Sequence, residues 1–419
     1  MEVVVTGIGP LLPNCADRGA LWTHLREGLS QLTFEAAPGE GGAQWSAGRL
    51  GELEPARWLD RFPRKFYERY SREQLIYLVS LVIALADAGL DLEGEPRERL
   101  ALFDGTSRGN FDFWYDRVRE EQARPARELY TRRELMLGTP GQAANLAAAL
   151  FRIRGPVYTF SGTCCSGAMA LGQAYRELSS GGDVEVALAS GHDSCRATPL
   201  YHMYREAGLV SDERHDARRA VRPYADDADV HGNAFGEGAI TLVLETRAHA
   251  ERRGANILAT IVGFQCGNNG AHPTDVDKEG TRATALMHRV LQKSGVDQEQ
   301  IGFVVGHGNG VVQSDRSEVA YLQRVFAART PEVPLLSTKP LYGHLLGASS
   351  TLNVAAAVLM LHHRWVVPTA NVDPERAMGP VDHRAGGGRP CHAPAGMAVS
   401  YGIGGHNTVT LVERVEAAA

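Results

Sequence analysis

Apolar residues recur along this chain in two alternating rhythms. Val3 to Gly9 is a β-branched run ending in glycine, and Ile257 to Phe264 begins a similar strand about 250 residues later. Between them, periods of helix and strand alternate. The spacing predicts a helix over Leu75 to Leu90, a strand over Ala101 to Phe103, a helix over Gln142 to Arg152 and a strand over Val184 to Ser190. The second half repeats the rhythm: helix Thr281 to Ser294, strand Phe303 to Gly306, helices Ser317 to Ala328 and Ala348 to His362, then strands Met397 to Tyr401 and Val409 to Glu413. Such alternation predicts mostly parallel sheets covered by helices. Two comparable halves, 1–254 and 255–419, are expected, although no strong residue-level repeat links them. Asp112 to Arg133 and the glycine- and proline-rich Gly379 to Pro394 read as surface excursions or loops.

With 419 residues the chain is too long for one small two-layer domain. Its 44% hydrophobic and 22% charged residues are ordinary globular usage, and no apolar run reaches bilayer-spanning length. The N-terminus, MEVVVTGIG, lacks a basic region, a long apolar segment and a cleavage site, so a cytoplasmic location is expected. Cys15, Cys164, Cys165, Cys195, Cys266 and Cys391 show neither CxxC pairs nor ligand-like Cys/His spacing. Reduced thiols and no metal site are therefore expected. A net charge of −6 disfavours a general nucleic-acid binder. Against that acidic background, RFPRKFYERYSREQ concentrates Arg61, Arg64, Lys65, Arg69 and Arg72, which suits an acidic partner.

The segment VYTFSGTCCSGAMALGQAYREL reads as a strand, a small-residue turn and a helix from about Ser166, placing Cys164 at a helix N-terminus. Free N–H groups and the helix dipole there favour a thiolate and should lower the thiol into its reactive range. Local physics alone does not separate Cys164 from the adjacent Cys165. Two histidines sit in small-residue loops after strands: His307 in VVGHGNG and His344 in STKPLYGHLLGASS, where neighbouring glycines let a substrate approach the backbone.

Together these segments resemble the β-ketoacyl-acyl carrier protein synthases of the thiolase superfamily, as in type II polyketide and fatty-acid synthesis. TFSGTCCSGAMALG is similar to their nucleophile elbow, GHGNGVVQSD to their first histidine loop and STKPLYGHLLGAS to their Lys/His loop. AVRPYADDADVHGNAFGEGAITLVLE and AVSYGIGGHNTVTLV resemble two further motifs, so the likeness runs from Val3 to Val412. It implies the thiolase-like five-layered αβαβα fold with two duplicated halves, the cysteine in the first and both histidines in the second. It selects Cys164 as acyl acceptor, His307 and His344 as donors to a thioester carbonyl, and Lys339 as electrostatic support. The GIGG turn, Gly402, Ile403 and Gly404, would form the gate, with the Cys164 and Ile403 N–H groups as oxyanion donors. The substrates implied are phosphopantetheine thioesters of an acyl carrier protein, docked on Arg64, Lys65 and Arg69, with no bound cofactor. The chemistry implied is decarboxylative condensation with a malonyl-type extender, in a homodimer or a heterodimer with a second ketosynthase-like subunit.

Several positions depart from that family's pattern. Asn309 and Val311 stand where threonines contact pantetheine, Ile403 replaces the gating phenylalanine, and Gly232 followed by Asn233 stands at the acyl-pocket motif ahead of Phe235. Asn353 occupies an often acidic position, which would deprive Lys339 of an ion-pair partner. These changes point to specialised-metabolite synthesis. The competing readings are an acyltransferase that does not decarboxylate and a chain-length-factor-like partner subunit, though such subunits typically lack the cysteine.

Overall fold

The computed structural model describes residues 1–37, 42–226, 231–274 and 276–415. β1 (Val3–Leu11) is buried along its whole length. It is followed by α1 (Arg72–Asp87), β2 (Leu100–Thr106), α2 (Gln142–Phe151), β3 (Val157–Phe160), α3 (Ser166–Ser179), β4 (Val186–Asp193) and β5 (Gly238–Thr246). The same sequence of elements then recurs: β6 (Ala259–Asn268), α4 (Thr281–Ser294), β7 (Ile301–Val305), α5 (Val312–Phe326), β8 (Leu335–Leu336), α6 (Gly347–His362), β9 (Ala395–Gly402) and β10 (His406–Glu413).

The ten strands join in the order β8-β7-β9-β10-β6-β1-β5-β4-β2-β3. Read from either end toward the β6–β1 junction, the two five-strand sets have the same connectivity and the same directions. Five of the nine pairings are antiparallel, namely β1 with β5 and β6, β5 with β4, and β10 with β6 and β9. The other four are parallel. The sheet is therefore mixed, not mostly parallel. The last two strands of each half pair antiparallel, joined in the second half by a tight hairpin turn and in the first by a longer connection that includes the helix Thr198–Glu206. We propose the division between the halves at 254/255, in the turn leading from β5 to β6.

Helices cover the sheet in layers. α1 and α2 bury Ile76, Leu78, Leu81, Ala147 and Phe151 on one outer side, and α4 and α5 bury Leu286, Met287, Val290, Leu322 and Val325 on the other. α3 and α6 lie between, with Leu171, Ala174, Leu352 and Val358 in the largest core cluster. Thus αβαβα layering follows from which faces are apolar. α1 starts at a capping box, with the Ser71 hydroxyl accepting from the Gln74 N–H and the Gln74 amide oxygen accepting from the Ser71 N–H. It lies tight on β1 because a Cβ at Gly9 would fall 2.2 Å from the Ser80 carbonyl oxygen.

The middle layer needs the same economy of bulk. A Cβ on Gly167 of α3 would lie 2.0 Å from the Thr351 hydroxyl of α6, and one on Gly191 of β4 2.4 Å from that hydroxyl. Small residues at these points let α3 and α6 cross in contact. The stretch 112–133 departs from the expected loop, since Phe111–Glu121 is helical. Asp112 in its first turn accepts the Arg196 and Ala197 N–H groups, both at 3.0 Å, and so ties the helix to the body. Among the described residues, no helix is long and apolar enough to cross a membrane.

Beneath α1, the buried His192 ring contacts Asp104 at 2.9 Å and Glu73 at 3.3 Å, beside the Tyr77 ring. Burial alone would discharge this imidazole, but the flanking carboxylates raise it well above its ordinary value. Burial in turn raises Glu73 to about 7. Replacing His192 by leucine strands two buried carboxylates. The expected result is a loss of about 3–5 kcal/mol in denaturant-measured stability, and an unchanged midpoint contradicts the assignment.

Candidate active site

Thr163–Cys165 form one tight turn between β3 and α3, with Thr163 at φ +51°. The turn is short because its residues are small, and it puts Cys164 against the start of α3. At the equivalent place in the second half, the loop before α6 carries His344. Because α3 and α6 cross, these helix starts converge, and His344 Nε2 lies 3.1 Å from Cys164 Sγ.

The hydrogen bonds fix the tautomer of His344. Its Nδ1 accepts the Leu346 N–H at 3.2 Å and lies 2.9 Å from the Ser349 hydroxyl. The ring proton therefore sits on Nε2, directed at the cysteine. Burial first, then the charges of Lys339 and Arg108, hold His344 well below its ordinary value, so the imidazole is neutral.

His307 follows β7, and its ring centroid lies 5.3 Å from that of His344, nearly perpendicular to it. Lys339 Nζ donates to the His307 carbonyl and lies 3.5 Å from His307 Nδ1. An ammonium can only donate, so Nδ1 accepts and the second ring proton also sits on Nε2. Burial, Lys339 and His344 lower His307 as well. Burial lowers Lys339 to about 8, with Glu318 the strongest opposing charge, followed by Cys164 and Asp315. The carboxylate influence on Lys339 thus comes from α5 and not from position 353. Asn353 instead accepts from the Thr338 hydroxyl at 2.9 Å and donates to the Gly306 carbonyl at 2.8 Å.

Glu318 organises this loop: its carboxylate accepts the His307 N–H at 2.7 Å and the Tyr321 hydroxyl at 2.9 Å. Asp315 accepts the N–H groups of Tyr224 at 2.7 Å and Asn309 at 3.1 Å. Neither acid was expected from sequence. The signal was available in QSDRSEVAYL, where Asp315 and Glu318 fall three apart on the helix face shared with Leu322 and Val325.

One cavity of about 250 Å³ is lined by Cys164, His307, His344, Asn233, Asn309, Val311, Gly402 and Ile403, all expected from sequence. Tyr204 and Tyr401 also line it and were not anticipated. Phe235 is set back from this lining, edge-on to Trp45 and Tyr204 at ring-centroid distances of 5.4 and 4.8 Å. Its backbone pairs with that of His344.

Ile403 is 43% exposed at the cavity rim, and its carbonyl accepts the Thr163 hydroxyl at 2.9 Å. Glycine is required next to it, because a Cβ at Gly402 would lie 3.0 Å from the Cys164 nitrogen and 2.2 Å from the Thr163 hydroxyl. Gly404, at φ +94°, turns the chain from β9 into β10.

Cys165 is turned away, 3.6 Å from the His406 carbonyl, and is absent from the cavity lining. Burial pushes Cys164 up to about 11, with Lys339 and Arg108 pulling it down, and pushes Cys165 higher still. The structure thus differs from the lowered thiol expected at a helix end: burial outweighs the pull of Lys339 and Arg108 and holds Cys164 above its ordinary value.

Arg64, Lys65 and Arg69 lie outside the cavity, exposed on and just after the short helix Arg64–Tyr67, with Arg64 paired to Glu68 at 2.8 Å. Arg72 is half-buried and ion-paired at 2.7 Å with the buried Glu237. Arg61 lies over the Phe62 and Phe151 rings. Among the described residues, no cluster of metal-ligating side chains is found.

Residues 1–250 match the N-terminal domain model of β-ketoacyl synthases and residues 258–373 the C-terminal one. The chain is 28% identical to the ketoacyl synthase alpha subunit of the tetracenomycin polyketide synthase of Streptomyces glaucescens, covering 99% of this chain and 97% of that one. It is 25% identical to 3-oxoacyl-[acyl-carrier-protein] synthase 2 of Staphylococcus aureus, covering 100% and 99%. Among solved structures, the ishigamide ketosynthase/chain length factor superposes with a TM-score of 0.87 at 25% identity, over 99% of both chains. The duplicated αβαβα body, with a cysteine and two histidines gathered at the crossing of its central helices, belongs to the β-ketoacyl synthase family.

Proposed function

We propose that this protein is a condensing enzyme that takes an acyl group from an acyl carrier protein onto Cys164 and joins it, with loss of CO₂, to a malonyl-type extender. The observation that carries the reading is the single cavity in which Cys164 Sγ lies 3.1 Å from His344 Nε2, beside His307. In the first half-reaction the Cys164 sulfur attacks the thioester carbonyl, the pantetheine thiolate leaves, and the proton lost from Cys164 passes to it. The Cys164 and Ile403 N–H groups hold the oxyanion. In the second, the extender's C–CO₂⁻ bond breaks. The enolate oxygen is held by the Nε2 protons of His307 and His344, while the enolate carbon attacks the acyl-cysteine and expels the thiolate.

The tautomers support donation better than general base work, because Nδ1 of both rings is occupied as an acceptor. This favours decarboxylation over transfer to water or an amine, which would need a free imidazole acceptor. A chain-length-factor role is disfavoured by the cysteine at the focus of the cavity. We assign carrier-protein docking to Arg64, Lys65 and Arg69, whose exposed basic cluster complements an acidic carrier. We assign the dimer contact, with itself or a second ketosynthase-like subunit, to β3, one of the two terminal strands of the sheet, where Tyr158 is half exposed. Polyketide and fatty-acid relatives suggest carbon-chain assembly in specialised metabolism.

Incubation with acyl- and malonyl-carrier protein should yield a β-ketoacyl carrier protein and CO₂. Cys164→Ala is expected to abolish the product. Acyl transfer without CO₂ would contradict the condensing assignment. Replacing His344 by alanine should lower turnover roughly 100- to 1000-fold, the size expected for an oxyanion donor, while acyl loading persists. The charge of Lys339 stabilises the thiolate, so Lys339→Met should raise the Cys164 pKa. Alkylation by iodoacetamide at neutral pH should then slow roughly tenfold per unit of that rise. An unshifted pH profile contradicts the role of Lys339.

A further inference from the structure

Behind the cavity wall stands a cation that the reaction above does not use as a reactant. Arg108 is the second residue past β2, and its backbone N–H donates to Asp193 at 3.0 Å. Its Nη2 donates to the Tyr204 hydroxyl at 2.6 Å, and its guanidinium carbon lies 5.4 Å from the Tyr204 ring centroid. Tyr204 itself lines the cavity with Cys164.

The nearest obvious counter-ion is already engaged. Asp193 accepts the N–H groups of Ser107, Arg108 and Gly347 and the Thr106 hydroxyl. Among the described residues, no carboxylate lies within ion-pairing distance of the Arg108 guanidinium, and its Nε is buried with no hydrogen-bond partner. The guanidinium is half-buried, and its one buried unpartnered donor, Nε, leaves the pair with Tyr204 as its link to the cavity. Its positive charge lowers both Cys164 and His344 from their ordinary values.

The Arg108 partner completes this wall. The Tyr204 hydroxyl accepts from Arg108, so its own proton is left to donate. An alkyl chain would leave the Tyr204 proton without an acceptor.

We propose that Arg108, acting through Tyr204, makes this acyl subsite select acyl groups that carry a carboxylate or ketone oxygen a few carbons from the thioester over plain alkyl groups. This rests on Cys164 being the acyl acceptor. Arg108 is a positioning residue and Tyr204 the donor that meets the substrate. A site that hydrogen-bonds a substrate oxygen rejects the analogue lacking it, because its buried polar groups are then left unpaired.

The test measures loading of Cys164 by succinyl-, acetoacetyl- and butyryl-pantetheine, read by intact mass with no malonyl donor present. The wild type is expected to load one or both oxygenated groups at least roughly tenfold faster than butyryl. In Arg108→Met and in Tyr204→Phe, which keeps the ring, the ratio should fall to within about threefold, and Arg108→Lys should retain a preference for succinyl. All rates can fall together because the charge also serves the thiol, so the ratio is what is read. Equal loading by the wild type, or an unchanged ratio in Tyr204→Phe, overturns the inference and leaves the acceptor role standing. Failure of all three thioesters to load overturns both.

Discussion

The close crossing of α3 and α6 is the constraint on which the site depends. The two helices come from different halves of a duplicated fold, and each begins at a loop that carries one reacting group. Their axes approach only because Gly167 faces Thr351, with Gly191 beside it, so that any added carbon would collide with the opposing hydroxyl. With that contact made, Cys164 and His344 meet although they are 180 residues apart in sequence. Asp193 reinforces the arrangement by joining the end of β2 to the first turn of α6.

Electrostatics then complete what packing begins. Burial keeps both imidazoles neutral, and the acceptors at Nδ1 leave their Nε2 protons available. The Glu318 carboxylate holds the loop of His307 and opposes the discharge of Lys339. The outcome is a set of buried donors fixed in advance, the condition under which hydrogen bonds to a developing oxyanion are strongest. The thiol is expensive to ionise in such surroundings, so the same burial that strengthens the donors makes Cys164 dependent on nearby positive charge.

Much of this was legible in the sequence. Thr281 to Ser294 marks α4 to the residue, and the small residues around Cys164 and His344 reveal the tight turns before α3 and α6. Strand direction was not legible, because alternation of strand and helix does not encode whether the last strands of each half return parallel. The helix at Phe111–Glu121 was hidden because none of its residues is fully buried, so no apolar stripe announces it. Arg108, Tyr204 and Glu318 were missed for a different reason: their significance lies in pairings across 96 and 11 residues of sequence, which only the folded chain brings together. The ionisation of Cys164 was misjudged from the helix terminus alone, since desolvation acts in three dimensions.

The most direct test of the central claim is to locate the covalent intermediate. After incubation with an acyl-carrier protein, tandem mass spectrometry of the peptide containing both adjacent cysteines assigns the added acyl mass to one sulfur. The account predicts the acyl group on Cys164 alone, with its release on addition of malonyl-carrier protein. Acylation of Cys165, or an adduct that malonyl-carrier protein does not discharge, would contradict it.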